Sequence, residues 1–229
     1  MKHIMKENKS ILLKKEIIKK FSNDFRSKIY TILRLKLSPM LQLENYVPQK
    51  GNILDLGCGS GIFAHILYLG SRERKILGID LSYKRIETAN KISINNSHLK
   101  FMVGDVNNIS FDDIGIITLI DLLHHMTFSE QNRLLKKIHT KLHDGGLLLI
   151  KDLEKQPLWK YIFHYIQDSI SYKGAKLYFR SAKQMSDLLT HFGFTVEIIS
   201  LASGYPHPHI LYKCRKSSGQ LTFSQSLPL

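Results

Sequence analysis

Short apolar runs alternate along the chain with stretches whose apolar residues recur at steps of three and four. The short apolar runs are typical of buried strands. Apolar residues at steps of three and four are typical of helices that pack by one face. Strands that alternate with helices predict an α/β fold with a doubly wound, mostly parallel sheet of seven strands. The predicted strands are Asn52–Asp55, Lys75–Asp80, Leu99–Gly104, Gly115–Asp121, Leu147–Lys151, Thr195–Leu201 and His209–Lys213. The predicted helices between them are Ile62–Leu69, Tyr83–Asn95, Ser129–Leu142 and Ser181–Phe192.

Residues 1–49 precede the first strand and are predicted to form a basic, amphipathic helical extension. Apolar residues keep a helical spacing over residues 10–37, Ser38-Pro39 interrupts it, and Leu41–Tyr46 forms a shorter helix. One interpretation is a helix packed on the body of the protein. Our hypothesis is a lid over a substrate cleft, because a minimal α/β core has no need of such an extension.

Charge is concentrated in this extension. The net charge of the chain is +14, and residues 1–50 carry 12 Lys or Arg against 4 Asp or Glu. Such a surface is either simply solvated or meets an acidic partner, which is a membrane surface, an acyl carrier protein or a nucleic acid. With 2 cysteines, no apolar run of about 18 residues and no signal-peptide pattern, we expect a cytoplasmic chain, with peripheral membrane contact as an alternative.

The core domain is predicted to span residues 50–216, with an insertion at 153–180 after the fifth strand. An insertion there lies over the carboxyl ends of the strands, where ligands bind in this class of fold. It is rich in aromatic residues, so we expect a cap that favours an apolar or ring-bearing acceptor. The remaining residues, 217–229, are Ser- and Gln-rich and are predicted to form a flexible tail.

Three aspartates lie at equal intervals: Asp55 and Asp80 close predicted strands, and Asp105 follows one. A glycine-rich turn, 57–61, comes directly after the first of these strands. Parallel strands deliver such residues to one edge of the sheet. Carboxylates beside a glycine-rich turn suit a cofactor with hydroxyls, an amino group and positive charge. Ile62 stands where a dinucleotide fingerprint has its third glycine, and no Gly-Lys-Ser/Thr follows, so nucleotide phosphates are disfavoured.

These segments resemble the class I S-adenosylmethionine-dependent methyltransferases. Ile53–Gly61 is similar to the first motif of that family, Ile76–Asp80 to the second and Gly104–Val106 to the third. Leu142–Gly146 resembles the turn before its fifth strand. The resemblance covers residues 50–150 well and residues 181–214 in outline.

The resemblance implies S-adenosyl-L-methionine as the cofactor. Asp80 is expected to accept hydrogen bonds from the ribose hydroxyls, and Asp105 is expected to accept one from the adenine amino group. Asp55 is expected to orient the glycine loop or to contact the methionine ammonium. A cationic sulfonium is attracted by this row of acids. The predicted cofactor-binding residues are Asp55, Gly57, Cys58, Gly59, Gly61, Asp80, Leu81, Asp105, Val106 and Asp121.

The stretch after the fourth strand contains the candidate catalytic residues, His124 and His125, because imidazole titrates near neutrality. Residues here lie near the transferring methyl group in the resembled family. Asp121, His124 and His125 occupy positions that hold a metal in some quinone-biosynthesis O-methyltransferases. In those enzymes the middle of the three positions is usually acidic, whereas this chain has His124 there. Because Mg²⁺ prefers oxygen ligands, we predict no metal site.

The acceptor is predicted to be a small or lipid-like molecule, with O-methylation favoured. Methyltransferases of nucleobase amines carry a proline-rich turn after strand 4, whereas this chain has no proline between Pro48 and Pro157, so nucleic acid is disfavoured. The later segments 152–160 and 206–209 resemble methyltransferases encoded with bacterial aryl-polyene or fatty-acid-like pathways, which implies a hydroxylated ring on an acyl chain presented by an acidic carrier protein. An RNA or DNA methyltransferase, an inactive cofactor-binding module and a nicotinamide dehydrogenase remain alternatives.

Overall fold

The computed structural model describes residues 2–22, 24–94, 96–108, 114–153 and 177–217, with side chains from residue 8 onward. The strands are β1 (Gly51–Leu56), β2 (Arg74–Asp80), β3 (Leu99–Val103), β4 (Ile114–Ile120), β5 (Leu142–Leu153), β6 (Phe194–Ser200) and β7 (His209–Lys216). The helices are α1 (Lys2–Lys20), α2 (Phe25–Leu37), α3 (Met40–Leu43), α4 (Ile62–Gly70), α5 (Tyr83–Ile92), α6 (Phe128–Lys141) and α7 (Ala182–His191), with 3-10 turns at Glu44–Tyr46 and Leu123–His125.

The seven strands form one sheet in the order β3-β2-β1-β4-β5-β7-β6. Strands β1 to β5 run parallel to one another, and β7 runs antiparallel to both β5 and β6. Apolar side chains form two buried clusters, which contain most of the core. The predicted doubly wound α/β fold is therefore confirmed. Since β1 to β4 are parallel neighbours, the loops that follow them meet at one edge of the sheet.

Several predicted element boundaries were wrong. The single helix over residues 10–37 is two helices, because the Asp24 carboxylate caps a new helix by accepting a hydrogen bond from the Ser27 amide at 2.9 Å. Helix α6 begins after Thr127 rather than Ser129, since Thr127 and Glu130 form a capping box. Strand β5 begins at Leu142, which already pairs with Ile114.

The N-terminal extension packs on the α/β body. Ile17 of α1, Phe21 directly after that helix and Leu35 of α2 are buried in one of the two core clusters. Glu44 is buried and forms an ion pair with Arg74 of β2, with 2.9 Å between Oε1 and Nη1. The extension is thus fixed by both apolar packing and a buried ion pair, whose separation would be costly.

Two predicted segments fall mostly outside the described residues. Of the aromatic cap at 153–180, residues 154–176 are not described, and of the tail at 217–229, residues 218–229 are not described. No helix within the described residues is both long and apolar enough to cross a bilayer.

Candidate active site

A cavity of about 480 Å³ opens at the carboxyl ends of the parallel strands. The loops after β1, β2, β3 and β4 line it, and Tyr30 and Arg34 of α2 form part of its wall. Eleven of the twelve sequence-predicted site residues line this cavity: Asp55, Gly57, Cys58, Gly59, Asp80, Leu81, Asp105, Val106, Asp121, His124 and His125. The sheet thus brings together residues that lie far apart in the sequence.

The loop after β1 requires its glycines. Gly57 and Gly59 have φ values of +72° and +57°, in the left-handed region that favours glycine. A Cβ atom on Gly57 would lie 2.7 Å from the Leu122 side chain, whereas one on Gly59 would meet no atom within 4 Å. The loop therefore turns sharply and leaves open space along its main chain at Gly59.

Gly61 lies behind this loop and does not line the cavity. It precedes α4 with a φ of +81°, and a Cβ atom there would lie 2.6 Å from the Phe101 ring and 3.2 Å from Ala89. Its role in the structure is to let the loop and α4 pack closely against β3 and α5.

We expect Gly61→Ala to lower the free energy of unfolding by about 1 to 3 kcal/mol, because the new methyl group adds strain at a positive φ and overlaps Phe101. Urea unfolding measures this loss. The matched control is Gly115→Ala, since a Cβ at Gly115 meets nothing within 4 Å. Equal stability of the two variants would contradict this account of Gly61.

The carboxylates at the ends of β2 and β3 accept hydrogen bonds that fix their orientation. Asp80 accepts a hydrogen bond from the Gly59 amide at 2.8 Å and one from the Ser82 amide at 2.9 Å, so it links the glycine loop to the start of α5. Asp105 accepts from the Asn107 amide at 2.9 Å and from the Asn108 side chain at 3.0 Å. Both carboxylates are fixed in orientation at the cavity wall.

Asp55 is almost fully buried beneath the loop. One carboxylate oxygen accepts a hydrogen bond from the Thr118 hydroxyl at 2.6 Å, and the other has no hydrogen-bond partner. Burial raises the pKa of Asp55 to about 7 despite the Thr118 hydrogen bond, and the charge of Asp80 adds to the rise. A cationic group in the cavity would satisfy the unpartnered oxygen.

Asp121 follows β4 and forms an ion pair with Lys151 of β5 and another with Arg34 of α2, at 3.2 Å. Its φ is +55°, the one positive value among the non-glycine residues of the described part of the chain. Burial opposes ionisation, but the Lys151 and Arg34 cations together lower the pKa of Asp121 below its ordinary range. This carboxylate therefore stays charged and connects α2 to the sheet.

His124 is buried at the cavity wall and its Nδ1 lies 2.6 Å from an Asp152 carboxylate oxygen. Its ring stacks on Phe179 with 5.0 Å between centroids, which restrains the ring further. His125 also lines the cavity, but its side chain is exposed. The two rings are 4.2 Å apart. The Asp152 carboxylate therefore orients the His124 ring at the cavity wall.

The described residues do not favour a cysteine nucleophile or a metal ion in this site. Burial, with the charges of Asp55 and Asp80, raises the pKa of the Cys58 thiol, so it is not a thiolate nucleophile. Within the described ranges, no group of three His, Cys, Asp or Glu side chains is arranged to hold a metal ion.

Sequence reasoning missed Arg34 and Lys151 as parts of the site. Lys151 carried a readable signal, because it is a charged residue at the end of a strongly apolar strand. No sequence pattern singles out Arg34, because it is one of many basic residues in the extension.

The profile of the methyltransferase domain family matches residues 25–198 of the chain. The chain therefore belongs to this methyltransferase family. Membership of this family confirms the resemblance to the class I S-adenosylmethionine-dependent methyltransferases that the motifs of β1 to β3 carry. The buried, unpartnered oxygen of Asp55 and the open space at Gly59 both fit a cationic nucleoside donor.

Individual relatives are more distant. A demethylmenaquinone methyltransferase from Thermotoga maritima is 31% identical over 106 residues, which are 46% of this chain and 44% of that protein. A carboxy-S-adenosyl-L-methionine synthase from Mannheimia succiniciproducens is 27% identical over 114 residues, covering 48% of this chain and 47% of its own length. The chain thus spans about half the length of these curated relatives. The structure of an O-methyltransferase family protein from Burkholderia thailandensis aligns with a TM-score of 0.68 at 17% identity, covering 87% of this chain and 62% of that one.

Proposed function

We propose that the chain methylates an oxygen atom of a small apolar or aromatic acceptor, with His124 as the base. The observation that carries this proposal is the buried His124–Asp152 pair at the wall of the cofactor cavity. A base is needed when an acceptor hydroxyl must lose its proton, and imidazole has the appropriate basicity near neutral pH.

The donor-binding residues of the proposal are those that line the cavity around the glycine loop. S-adenosylmethionine supplies a methyl group on a cationic sulfur. Asp80 holds the loop and offers carboxylate oxygens to the ribose hydroxyls, Asp105 faces the adenine end, and Asp55 offers its unpartnered oxygen to the ammonium. Leu81, whose side chain is exposed at the cavity, provides apolar surface for the adenine.

At the reacting end, this chain's residues position the acceptor and take its proton. Asp152 orients the His124 ring through Nδ1, and we assign to Nε2 the role of accepting the proton of a bound hydroxyl. Asp152 is a positioning residue, because it acts through His124. Exclusion of water is the other requirement of methyl transfer, and we assign it to α2, which forms a lid through Tyr30 and Arg34.

An apolar acceptor fits several features of the chain. The relative from Thermotoga maritima is named for a quinone, which is a lipid-soluble ring. The aromatic character of residues 153–180 also favours a ring-bearing molecule. We therefore favour an acceptor delivered from a membrane or an acidic carrier protein, both of which the basic extension would attract. A cytoplasmic location fits the two free cysteines.

Donor binding should depend on pH through Asp55. Its pKa in the folded protein, about 7, lies above its ordinary value of 3.8, so its contribution to stability is complete below pH 3.8 and is lost as the pH rises through 7. An ammonium beside Asp55 favours the carboxylate, so binding releases a proton. We expect the Kd for S-adenosylhomocysteine to fall about threefold to tenfold between about pH 6 and about pH 8.

Calorimetric titration at several pH values measures this change, and buffers of different ionisation enthalpy report the released proton. The Asp55→Asn variant is the matched control, because it keeps the shape of the side chain and cannot ionise. An equally steep pH dependence in that variant would show that another group is responsible.

Methyl-labelled S-adenosylmethionine, incubated with fractions of a cell lysate, tests the acceptor class. We expect label in the organic-extractable fraction or on acyl carrier proteins, and none with His124→Ala. The net charge of +14 favours nucleic acid as a second candidate. Label recovered in RNA or DNA would therefore contradict the small-molecule proposal and support that alternative.

A further inference from the structure

Helix α2 has an apolar face that points away from the body of the protein. Thr31 and Leu35 are buried on its inner side. Phe25, Ile29 and Leu33 recur at four-residue steps and have 77%, 41% and 48% of their surfaces exposed. A surface helix ordinarily places polar residues on its outer face, so this row is unusual. Leu12 on neighbouring helix α1 is also 62% exposed.

Exposed basic residues accompany the apolar row. Arg26, Lys28 and Lys36 are exposed on α2, and the helix contains no acidic residue. A row of large apolar side chains among Lys and Arg is typical of helices that lie in the interface of an anionic membrane. Lys and Arg side chains near such a membrane attract the phosphates of anionic lipids.

The same helix also forms the cavity wall. Tyr30 and Arg34, which directly follow Ile29 and Leu33 of the apolar row, line the cavity. The outer face of α2 therefore adjoins the mouth of the site. A molecule that leaves a lipid interface beside α2 would have a short path to the cavity.

We propose that the outer face of α2, formed by Phe25, Ile29 and Leu33, docks on an anionic lipid bilayer. A protein partner would need a groove that matches this convex row, whereas the lipid headgroup region deforms around it. The helix lies in one leaflet, with the cavity mouth turned toward the membrane. Delivery of a lipid-soluble acceptor through this contact rests on the proposed function, but the docking itself does not.

Sedimentation of the full chain with phosphatidylglycerol-rich vesicles, and with pure phosphatidylcholine vesicles, tests the docking. We expect binding to the anionic vesicles, weakening with added salt. The triple variant Phe25→Gln, Ile29→Gln, Leu33→Gln should bind about tenfold or more weakly. The matched control is Ile94→Gln with Ile198→Gln, two exposed apolar residues elsewhere, which should bind as the wild type does.

A second pair of variants tests the charges. Arg26→Gln, Lys28→Gln, Lys36→Gln should lose about tenfold or more in vesicle affinity. Lys84→Gln, Arg133→Gln, Lys136→Gln removes the same charge from other exposed positions and should lose much less. Equal losses in the two charge variants would overturn the assignment to α2.

Three results would overturn the proposal: no vesicle binding by the wild-type chain, unchanged binding by the apolar triple variant, or binding to an acyl carrier protein with none to vesicles. S-adenosylhomocysteine binding is measured on the same samples. Lost vesicle binding with intact S-adenosylhomocysteine binding rejects the docking surface alone. Intact vesicle binding by a chain that transfers no methyl group to lipid-soluble acceptors rejects the proposed function alone.

Discussion

Replacing Asp80 with alanine should weaken S-adenosylhomocysteine binding about a hundredfold or more. In the proposed site the carboxylate accepts two charge-assisted hydrogen bonds from the ribose, each worth about 1.5 to 3 kcal/mol. The substitution also removes the acceptor of the Gly59 amide, 2.8 Å away, so the glycine loop loses its link to β2. Calorimetric titration of the wild-type and variant chains measures the loss.

Asp187→Ala is the matched control, because Asp187 is an exposed aspartate whose ion pair, with Lys183, lies on the surface of α7. Its Kd should equal that of the wild type. Thermal unfolding of both variants shows whether the fold is retained. Binding by Asp80→Ala within about threefold of the wild type would refute the assignment of Asp80 to the ribose.

Replacing His124 with alanine should lower kcat for the labelled acceptor fraction by about 100- to 10,000-fold, since general bases contribute rate factors of this size. S-adenosylhomocysteine affinity should change by less than about threefold, because His124 meets the acceptor rather than the donor. The expected signature is a large loss of turnover with donor binding intact.

His125→Ala is the comparison, since His125 lines the same cavity but is exposed. It should lower kcat by less than about tenfold. Asp152→Asn should lower kcat about tenfold or more and alter the pH dependence of kcat, because the amide still fills the space but no longer supports a cationic ring. Full turnover by His124→Ala would show that this residue is not the base.

The grouping of the three aspartates and the glycine loop around one cavity was predictable from local sequence. A strand that ends in an aspartate places that aspartate at the sheet edge, and Asp55, Asp80 and Asp105 all lie at one cavity for this reason. The glycine loop was equally readable, since a sharp turn between a strand and a helix needs positive φ values. Gly61 shows the limit of such motifs, because its neighbours Phe101 and Ala89 come from distant parts of the chain.

The acceptor side depends on contacts that no local pattern encodes. Arg34 is 87 residues away from Asp121, and their ion pair arises only when α2 packs beside β4. The same is true of His124 and Asp152, which adjacent parallel strands bring together across 28 residues. The break between α1 and α2 was missed for a different reason: the apolar spacing continues through it, and only the Asp24 cap reveals it.

The most direct test of the central claim is calorimetric titration of the full chain with S-adenosylhomocysteine, with Asp80→Ala beside it. The claim is that the glycine loop and the aspartates at the carboxyl ends of β1 to β3 form the donor site. We expect saturable heat with one site per wild-type chain and a Kd in the micromolar range, and no measurable heat with Asp80→Ala. A wild-type titration without heat at high protein concentration, or equal heat from both chains, would contradict it.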